Sequence, residues 1–158
     1  MTYTIRFLRS CLVALAFLAE PAWSASCFTS SISGVGFGTY NPFLATPVDQ
    51  LSTATVTCNG FAGQIIPFRV ALSAGSSGTV VTRTMRRTGS VLNYNLYSDN
   101  ARSAVWGNVV GTNDRSGSIT VVGTSGTGNF TFFGRIPAGQ TSVKAGAHTD
   151  TVTMTFTY

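Results

Sequence analysis

The residues that could carry out chemistry in this 158-residue chain are few and scattered. The chain has one histidine, His148, and its acidic residues are Glu20, Asp49, Asp99, Asp114 and Asp150. His148 and Asp150 would share one face of a strand, where neither can orient the other as a Ser-His-Asp triad requires. The isolated aspartates form no recognisable pair for glycoside cleavage. The sequence therefore predicts that the protein is not an enzyme and that it has no catalytic residues, no cofactor and no metal.

The first 24 residues have the features of an export signal. Basic residues precede an apolar run, CLVALAFLA (11–19), that is too short to span a bilayer. Small residues at Ala22 and Ser24 then suit a signal peptidase. We predict a secretory signal peptide over residues 1–24 and a single mature domain over residues 25–158, with an uncleaved N-terminal anchor as the alternative.

The cysteines are Cys11, Cys27 and Cys58. Cys11 would leave with the signal peptide, so one pair remains in a protein exported to an oxidising compartment. Such a pair predicts a disulfide between Cys27 and Cys58, and two free buried thiols are the alternative. Two cysteines and one histidine are too few for a structural zinc site.

Basic residues cluster only in RTMRR (83–87). Alternation along a strand would put Arg83 and Arg87 on one face with Met85, and Arg86 on the other. We interpret this stretch as a solvated sheet face, and weak attraction to anionic polysaccharide or phospholipid is the alternative. Because few basic residues accompany the aromatic side chains, no binding of nucleic acid is expected.

The elements that must position these residues are short strands, since Thr, Ser, Gly, Val and Phe dominate after residue 24. Period-two alternation predicts strands over 52–59, 65–73, 80–87, 91–98, 118–123 and 129–136, with Gly-rich turns between them. No helix follows GVGFG (34–38) to bind a phosphate, so this stretch is interpreted as a strand with bulges or close backbone approach. Seven or so such strands predict an all-β antiparallel sandwich or barrel.

The last ten residues, TDTVTMTFTY (149–158), form the most regular strand pattern in the chain. Threonines occupy one face, and the apolar residues occupy the other. The apolar residues are Val152, Met154, Phe156 and Tyr158. This pattern predicts a half-buried strand, with no following segment in the sequence to cover its edge.

Several segments, in their order and spacing, carry a resemblance to a known family. They are CFTSSISGVGFGTYNP (27–42), VTC ending at Cys58, LSAGSSG (72–78), RTM (83–85), LNYNLYSDNAR (92–102), VWG (105–107), FGRIPAGQ (133–140) and GAHTDTV (146–152) with Tyr158. The chain resembles the spore coat protein U domain, the pilin-type domain of archaic, Csu-like chaperone–usher pili in bacteria. One departure is His148, where the family commonly has Tyr.

The resemblance implies an immunoglobulin-like antiparallel β-sandwich that lacks its final strand. A periplasmic chaperone would lend that strand, and the N-terminal extension of another pilus subunit would replace it at the outer-membrane usher. The donor strand would lie in a groove for which we predict the lining residues Phe68, Val70, Leu72, Val152, Met154, Phe156 and Tyr158. The implied protein passes through the periplasm to the cell surface, where it serves a pilus or surface coat and supports adhesion or biofilm formation on host or abiotic surfaces.

Polymerising members of this family carry an apolar alternating extension before the first cysteine. Here only two residues, Ala25 and Ser26, separate the predicted cleavage site from Cys27. This predicts a tip subunit that accepts a strand without donating one, or a secreted relative that never polymerises. Two other protein classes remain as alternatives, a small outer-membrane β-barrel, since alternating strands and a terminal aromatic residue are typical of one, and a secreted carbohydrate-binding module.

Overall fold

The computed structural model describes residues 24–158, so the predicted signal peptide and Cys11 lie outside the described residues, apart from Ser24. The strands are β1 (Ser26–Ile32), β2 (Val48–Asn59), β3 (Ile65–Leu72), β4 (Arg83–Arg87), β5 (Ser90–Tyr97), β6 (Arg115–Thr120), β7 (Ser125–Ile136) and β8 (Met154–Thr157). The one helical element in this range is a 3-10 turn, Gly75–Ser77. None of the helical structure in residues 24–158 is long and apolar enough to cross a membrane.

The strands form two antiparallel sheets that pack as a sandwich, which confirms the predicted fold class. The large sheet has the order β1-β2-β7-β5-β4, and the small sheet has the order β6-β3-β8. The longest ladder joins β2 to β7 in an unbroken register from Val48 opposite Ile136 to Asn59 opposite Ser125. Along β2 the side chains of Ala54, Val56 and Cys58 point into the core and the threonines between them lie on the opposite face, because successive side chains alternate between the faces of a sheet. Leu51 is on the threonine face and is exposed.

The core lies between the two sheets and is built around Trp106. This side chain is fully buried, its Nε1 donates a 3.0 Å hydrogen bond to the Val70 carbonyl, and its ring centroid lies 5.1 Å from that of Phe132. The partners come from different sheets, since Val70 is on β3 and Phe132 is on β7. Trp106 therefore joins the two layers by apolar contact and satisfies its own polar atom at the same time.

The segment predicted as one strand over residues 149–158 crosses from one sheet to the other. Thr149 bridges Arg86 of β4 in the large sheet, whereas β8 itself is limited to Met154–Thr157 and pairs only with β3. Between these points the Ser73 amide donates to the Thr153 carbonyl at 2.9 Å. The alternation of side chains continues through the crossing, which explains why the sequence pattern suggests one uninterrupted strand.

The GVGFG stretch (34–38) is not a strand, contrary to the sequence-based interpretation. Its apolar side chains Val35 and Phe37 pack inward on Gly134 of β7. A β carbon at Gly134 would lie 2.7 Å from the Phe37 ring and 2.8 Å from Val35. The stretch crosses the inner face of the large sheet instead of pairing with it, and Gly134 provides the space that this crossing requires.

Candidate functional site

An apolar groove of about 390 Å³ opens between the two sheets. One wall is formed by the end of β1 and the residues that follow it, and the opposite wall is formed by residues 148–154. The floor comes from both sheets. The lining includes Ile32, Gly34 and Val35 on the first wall, Val152 and Met154 on the second, and Leu72, Met85, Tyr94, Leu96 and Phe132 beneath.

The first wall is set by an irregularity in β1. The β1–β2 register shifts between Thr29 and Ser31, so that β1 bends before it reaches the groove. Beyond the bend, Ser52 Oγ donates a 2.6 Å hydrogen bond to the Ser33 carbonyl, and the Ser33 amide donates to the Thr53 carbonyl at 3.0 Å. The backbone of this wall is therefore fixed to β2, and its side chains remain directed toward the groove.

A disulfide fixes the other end of β1. Cys27 and Cys58 are directly opposite in the β1–β2 register, with Cα atoms 4.0 Å apart, and they are joined as the sequence predicts. Cys58 is fully buried. Within residues 24–158, β1 has a hydrogen-bonded partner on one side only, so this covalent link limits fraying of an edge strand that leads into the groove.

The second wall is held by Asp150. Its Oδ2 accepts a 2.7 Å hydrogen bond from the Tyr94 hydroxyl of β5, and its Oδ1 accepts a 2.8 Å hydrogen bond from the Ser76 amide. The carboxylate packs on Gly75, which has a φ of 63° and no room for a β carbon. Burial and the bond to Asp150 raise the pKa of Tyr94 well above its usual range. The wall is thus attached to the large sheet and to the 3-10 turn.

Arg83 lies beneath this wall and is fully buried, so the sequence-based interpretation of RTMRR as a solvated face is wrong at this position. Its guanidinium donates to the Ser73 carbonyl at 2.9 Å, the Trp106 carbonyl at 2.8 Å and Asn95 Oδ1 at 2.8 Å. Burial lowers the pKa of Arg83, while Tyr94 and Asp150 act to raise it. The planar fork of N–H donors suits a site lined by backbone carbonyls, which explains why an arginine is tolerated in the interior.

The only histidine does not take part in a catalytic arrangement. The Ser90 Oγ lies 2.9 Å from His148 Nε2, and the Gly146 carbonyl lies 3.0 Å from His148 Nδ1. Because a carbonyl can only accept, Nδ1 carries the proton in the neutral ring, and Ser90 donates to Nε2. Asp150 is bonded to Tyr94 and not to His148, in agreement with the expectation that the two residues form no triad. His148 therefore links β5 to the segment before β8 through its hydrogen bond with Ser90.

The structure separates the seven predicted groove residues into three groups. Leu72, Val152 and Met154 line the groove, whereas Val70 is fully buried below it. The others are aromatic and lie outside the groove lining, with Phe68 on β3, Phe156 on β8 and Tyr158 just after β8. The Phe156 centroid lies 5.3 Å from that of Phe68, in a stacked arrangement, and 5.9 Å from that of Tyr158. The role of all seven as a strand-binding surface remains a prediction.

The sequence pattern did not identify the first wall or most of the floor. Leu96 and Phe132 fall on the inner faces of correctly predicted strands. Alternation shows that these side chains face inward, but it does not show which inward-facing residues line an open groove. Val35 lies in the misassigned GVGFG stretch. A usable signal was present there, because Val35 and Phe37 are the apolar residues between consecutive glycines.

The sequence profile of the Spore Coat Protein U domain matches residues 13–155. The chain belongs to this family. Spore coat U domains are non-enzymatic structural subunits. No curated protein matches the chain at a significant level.

Solved structures similar to this spore coat U domain include the CsuC–CsuE complex of Acinetobacter baumannii, described as a chaperone–tip adhesion subunit pre-assembly complex from archaic chaperone–usher Csu pili. The identity is 21%, the TM-score is 0.59, and the match covers 85% of this chain and 40% of the other. A chaperone–tip adhesin complex of CFA/I fimbriae biogenesis matches at 12% identity with a TM-score of 0.44, covering 84% and 42% of the two chains. The chain thus spans less than half the length of these structures.

Proposed function

We propose that this protein is an exported subunit of a chaperone–usher pilus or related surface coat and that its groove accepts a β-strand from another protein. The observation that carries the proposal is the apolar groove beside β8. This strand has one hydrogen-bonded partner, β3, within residues 24–158, and its other edge is free to pair. An incoming strand would gain backbone hydrogen bonds along that edge and would bury alternate side chains between the two walls.

The order of partners follows from the exposure of this surface. An unfilled groove leaves unpaired backbone groups and apolar side chains in water, which promotes aggregation. A periplasmic chaperone that lends a strand would protect it until another subunit replaces that strand at the usher. The description of the similar CsuE subunit, which is bound to a chaperone before assembly, supports this sequence of partners.

We further propose that the protein occupies the distal end of the fibre. From Ser26 onward the chain forms β1, which pairs with β2, and Cys27 is covalently fixed to Cys58. A donor segment in this chain would therefore have to precede Ser26. If the signal peptide ends at Ser24 as predicted, that segment is far shorter than the 5–6 residues of a typical strand. N-terminal sequencing of the exported protein and immunogold labelling of fibres test this position. Label along the shaft, or a mature start well before Ala22, would contradict it.

Adhesion is supported by the surface at the pole where β1 begins. The loops at 60–64 and 121–124 lie side by side there, since the Gly63 amide donates to the Val121 carbonyl at 2.9 Å. They expose two large apolar side chains, Phe61 and Val122, the second of which is 81% exposed, and Ile65 at the start of β3 is exposed beside them. A donor segment would also leave from this pole, so in a tip subunit the pole faces away from the fibre. Replacing Phe61 and Val122 with Ser should reduce attachment of cells to hydrophobic plastic, without reducing the number of fibres.

The groove is tested with a matched pair of variants. A donor-strand peptide of alternating apolar residues, or a co-expressed chaperone, should raise the melting temperature of the mature protein because each binds only the folded state. Val152→Asp should abolish that rise, since it buries an unpaired charge in the groove. Thr153→Asp, on the exposed face of the same segment, is the control and should retain it. A stable monomer whose melting temperature ignores every donor peptide would refute the proposal.

A further inference from the structure

A second cavity continues the groove at the pole opposite the β1 start. It encloses about 760 Å³ and shares Val35, Met85 and His148 with the groove, so the two spaces are contiguous. Its floor is apolar and comes mainly from the large sheet and the loops that cover it. The floor residues include Phe37, Leu92, Ile136 and Val143. A strand lying in the groove would therefore have an apolar space available beyond one of its ends.

The rim of this second cavity is basic. Lys144 lines the cavity, and its amide donates a 3.0 Å hydrogen bond to the Ser90 Oγ that also contacts His148. The Arg87 guanidinium lies over Gly146, where a β carbon would be 2.6 Å from its Nη1. Arg87 follows Met85 by two residues on β4, so both side chains project from the same face of the strand. Met85 lines the cavity, as does Gly146 beneath the Arg87 guanidinium.

No acidic group in the described part of the chain neutralises this rim. The ion pairs among residues 24–158 involve Arg69, Arg102 and Arg135, and neither Arg87 nor Lys144 forms one. Asp150 is the acidic residue on the wall of the adjoining groove, and both of its oxygens already accept hydrogen bonds from Tyr94 and Ser76. The rim consequently presents positive charge beside an open apolar cavity.

We propose that the second cavity selects the incoming donor strand by its end, which carries a bulky apolar residue and, next to it, an acidic residue. The apolar side chain fills the cavity, and the carboxylate pairs with Arg87 and Lys144. This inference rests on the proposed function and adds a rule for choosing the partner. An anionic polysaccharide would use the charge but has no apolar side chain to fill the cavity, whereas a donor strand supplies both.

Four sets of synthetic donor peptides test the rule, each with the same alternating apolar centre. Glu, Gln or Lys is placed next to a terminal Leu, at either the first or the last end, because the strand direction decides which end reaches the cavity. At that end the Glu peptide should bind the mature protein about threefold more tightly than the Gln peptide, and the Lys peptide should bind more weakly than either. The fourth set replaces the terminal Leu with Ala, which should reduce affinity whatever the charge. The preference for Glu should shrink at high salt.

Substitutions at the rim identify the residues that recognise the charged side chain of the donor peptide. Arg87→Gln and Lys144→Gln should each remove most of the preference for Glu and leave binding of the Gln peptide unchanged. Arg86→Gln is the matched control, because Arg86 neighbours Arg87 on β4 but projects from the opposite face. The control should keep the full preference.

The outcomes separate this inference from the proposed function. If no donor peptide binds, both are overturned. If the peptides bind the groove but Glu, Gln and Lys are equivalent at both ends, or if Arg86→Gln acts as strongly as Arg87→Gln, only the selection rule is overturned. Dextran sulfate is the probe for the polysaccharide alternative, and competition by it as strong as that of the Glu peptide would also overturn the rule.

Discussion

The hydroxyl of Tyr94 donates a 2.7 Å hydrogen bond to Oδ2 of Asp150, and this bond joins the floor of the groove to one of its walls. Tyr94 belongs to β5 of the large sheet, whereas Asp150 lies on the segment that leads into β8 of the small sheet. Both side chains line the groove. The bond therefore sets the position of a wall that must receive a partner.

Tyr94→Phe should lower the free energy of unfolding by about 1–2 kcal/mol, because it removes a buried hydrogen bond to a charged acceptor while keeping the ring. It should also weaken donor-peptide binding, since the wall loses its attachment to the floor. Tyr97→Phe is the control, because Tyr97 lies on the same strand, β5, but does not line the groove. Chemical unfolding and peptide titration measure the two effects. Equal behaviour of the two variants would contradict the role of the Tyr94–Asp150 bond.

Arg83→Met should destabilise the protein by about 3–5 kcal/mol. The substitution keeps a long side chain but leaves buried carbonyls of Ser73 and Trp106 without donors. Arg86→Met, at an exposed position on the same strand, should change stability by less than about 0.5 kcal/mol. The yield of soluble periplasmic protein and its melting temperature measure both variants. A well-folded Arg83→Met protein with an unchanged melting temperature would show that this network contributes little.

Replacing Cys27 and Cys58 together with Ser should cost about 3–4 kcal/mol on the chain-entropy account of cross-linking. The variant should also bind donor peptides more weakly, because β1 frays and carries the first groove wall with it. Intact mass before and after alkylation, without reductant, checks that the pair is oxidised in the exported protein. Modification of two cysteines without reduction would rule out the disulfide.

Asp49→Asn should reduce stability by about 1 kcal/mol near neutral pH and have a diminishing effect in acid. Arg135 donates two 2.7 Å hydrogen bonds to the carboxylate, and Arg102 lies 3.2 Å from it. These contacts, with the bonds from Arg135 contributing most, hold the pKa of Asp49 below its usual range. A depressed folded-state pKa gives stability that is complete above the unfolded-state pKa of about 3.9 and is lost as the pH falls through the folded value. Unfolding curves of both proteins between pH 7 and pH 2 should therefore converge, and a constant difference would contradict the ion-pair account.

Alternation in the sequence was sufficient to predict most of the sandwich. The pattern in β2 and β7 is regular because each strand has one face in the core and one in water, and the disulfide follows from a single remaining cysteine pair in an exported chain. The pattern in the last ten residues predicts one strand, because the side chains keep alternating while the backbone changes partner between Thr149 and Met154. Period-two patterns report the direction of side chains and carry no information about which strand supplies the hydrogen bonds.

Arg83 shows a different limit of sequence-based reasoning. A guanidinium in a strand is ordinarily assigned to solvent, because burying a charge without partners is costly. Its partners here are carbonyls at Ser73 and Trp106, which lie outside the strands, 10 and 23 residues away in sequence, and belong to no recognisable motif. Only the assembled fold brings them together, so the buried site could not be inferred from RTMRR alone.

The position of the disulfide has a mechanical consequence. Cys27 lies next to the first residue of β1, and its partner Cys58 lies at the end of β2, the strand that is paired along its whole length with β7. A pulling force applied to the chain before Ser26 passes through the sulfur atoms into β2 without loading the hydrogen bonds of β1. Those bonds cannot be broken one after another from the end. The tension is instead distributed over the twelve-residue ladder between β2 and β7.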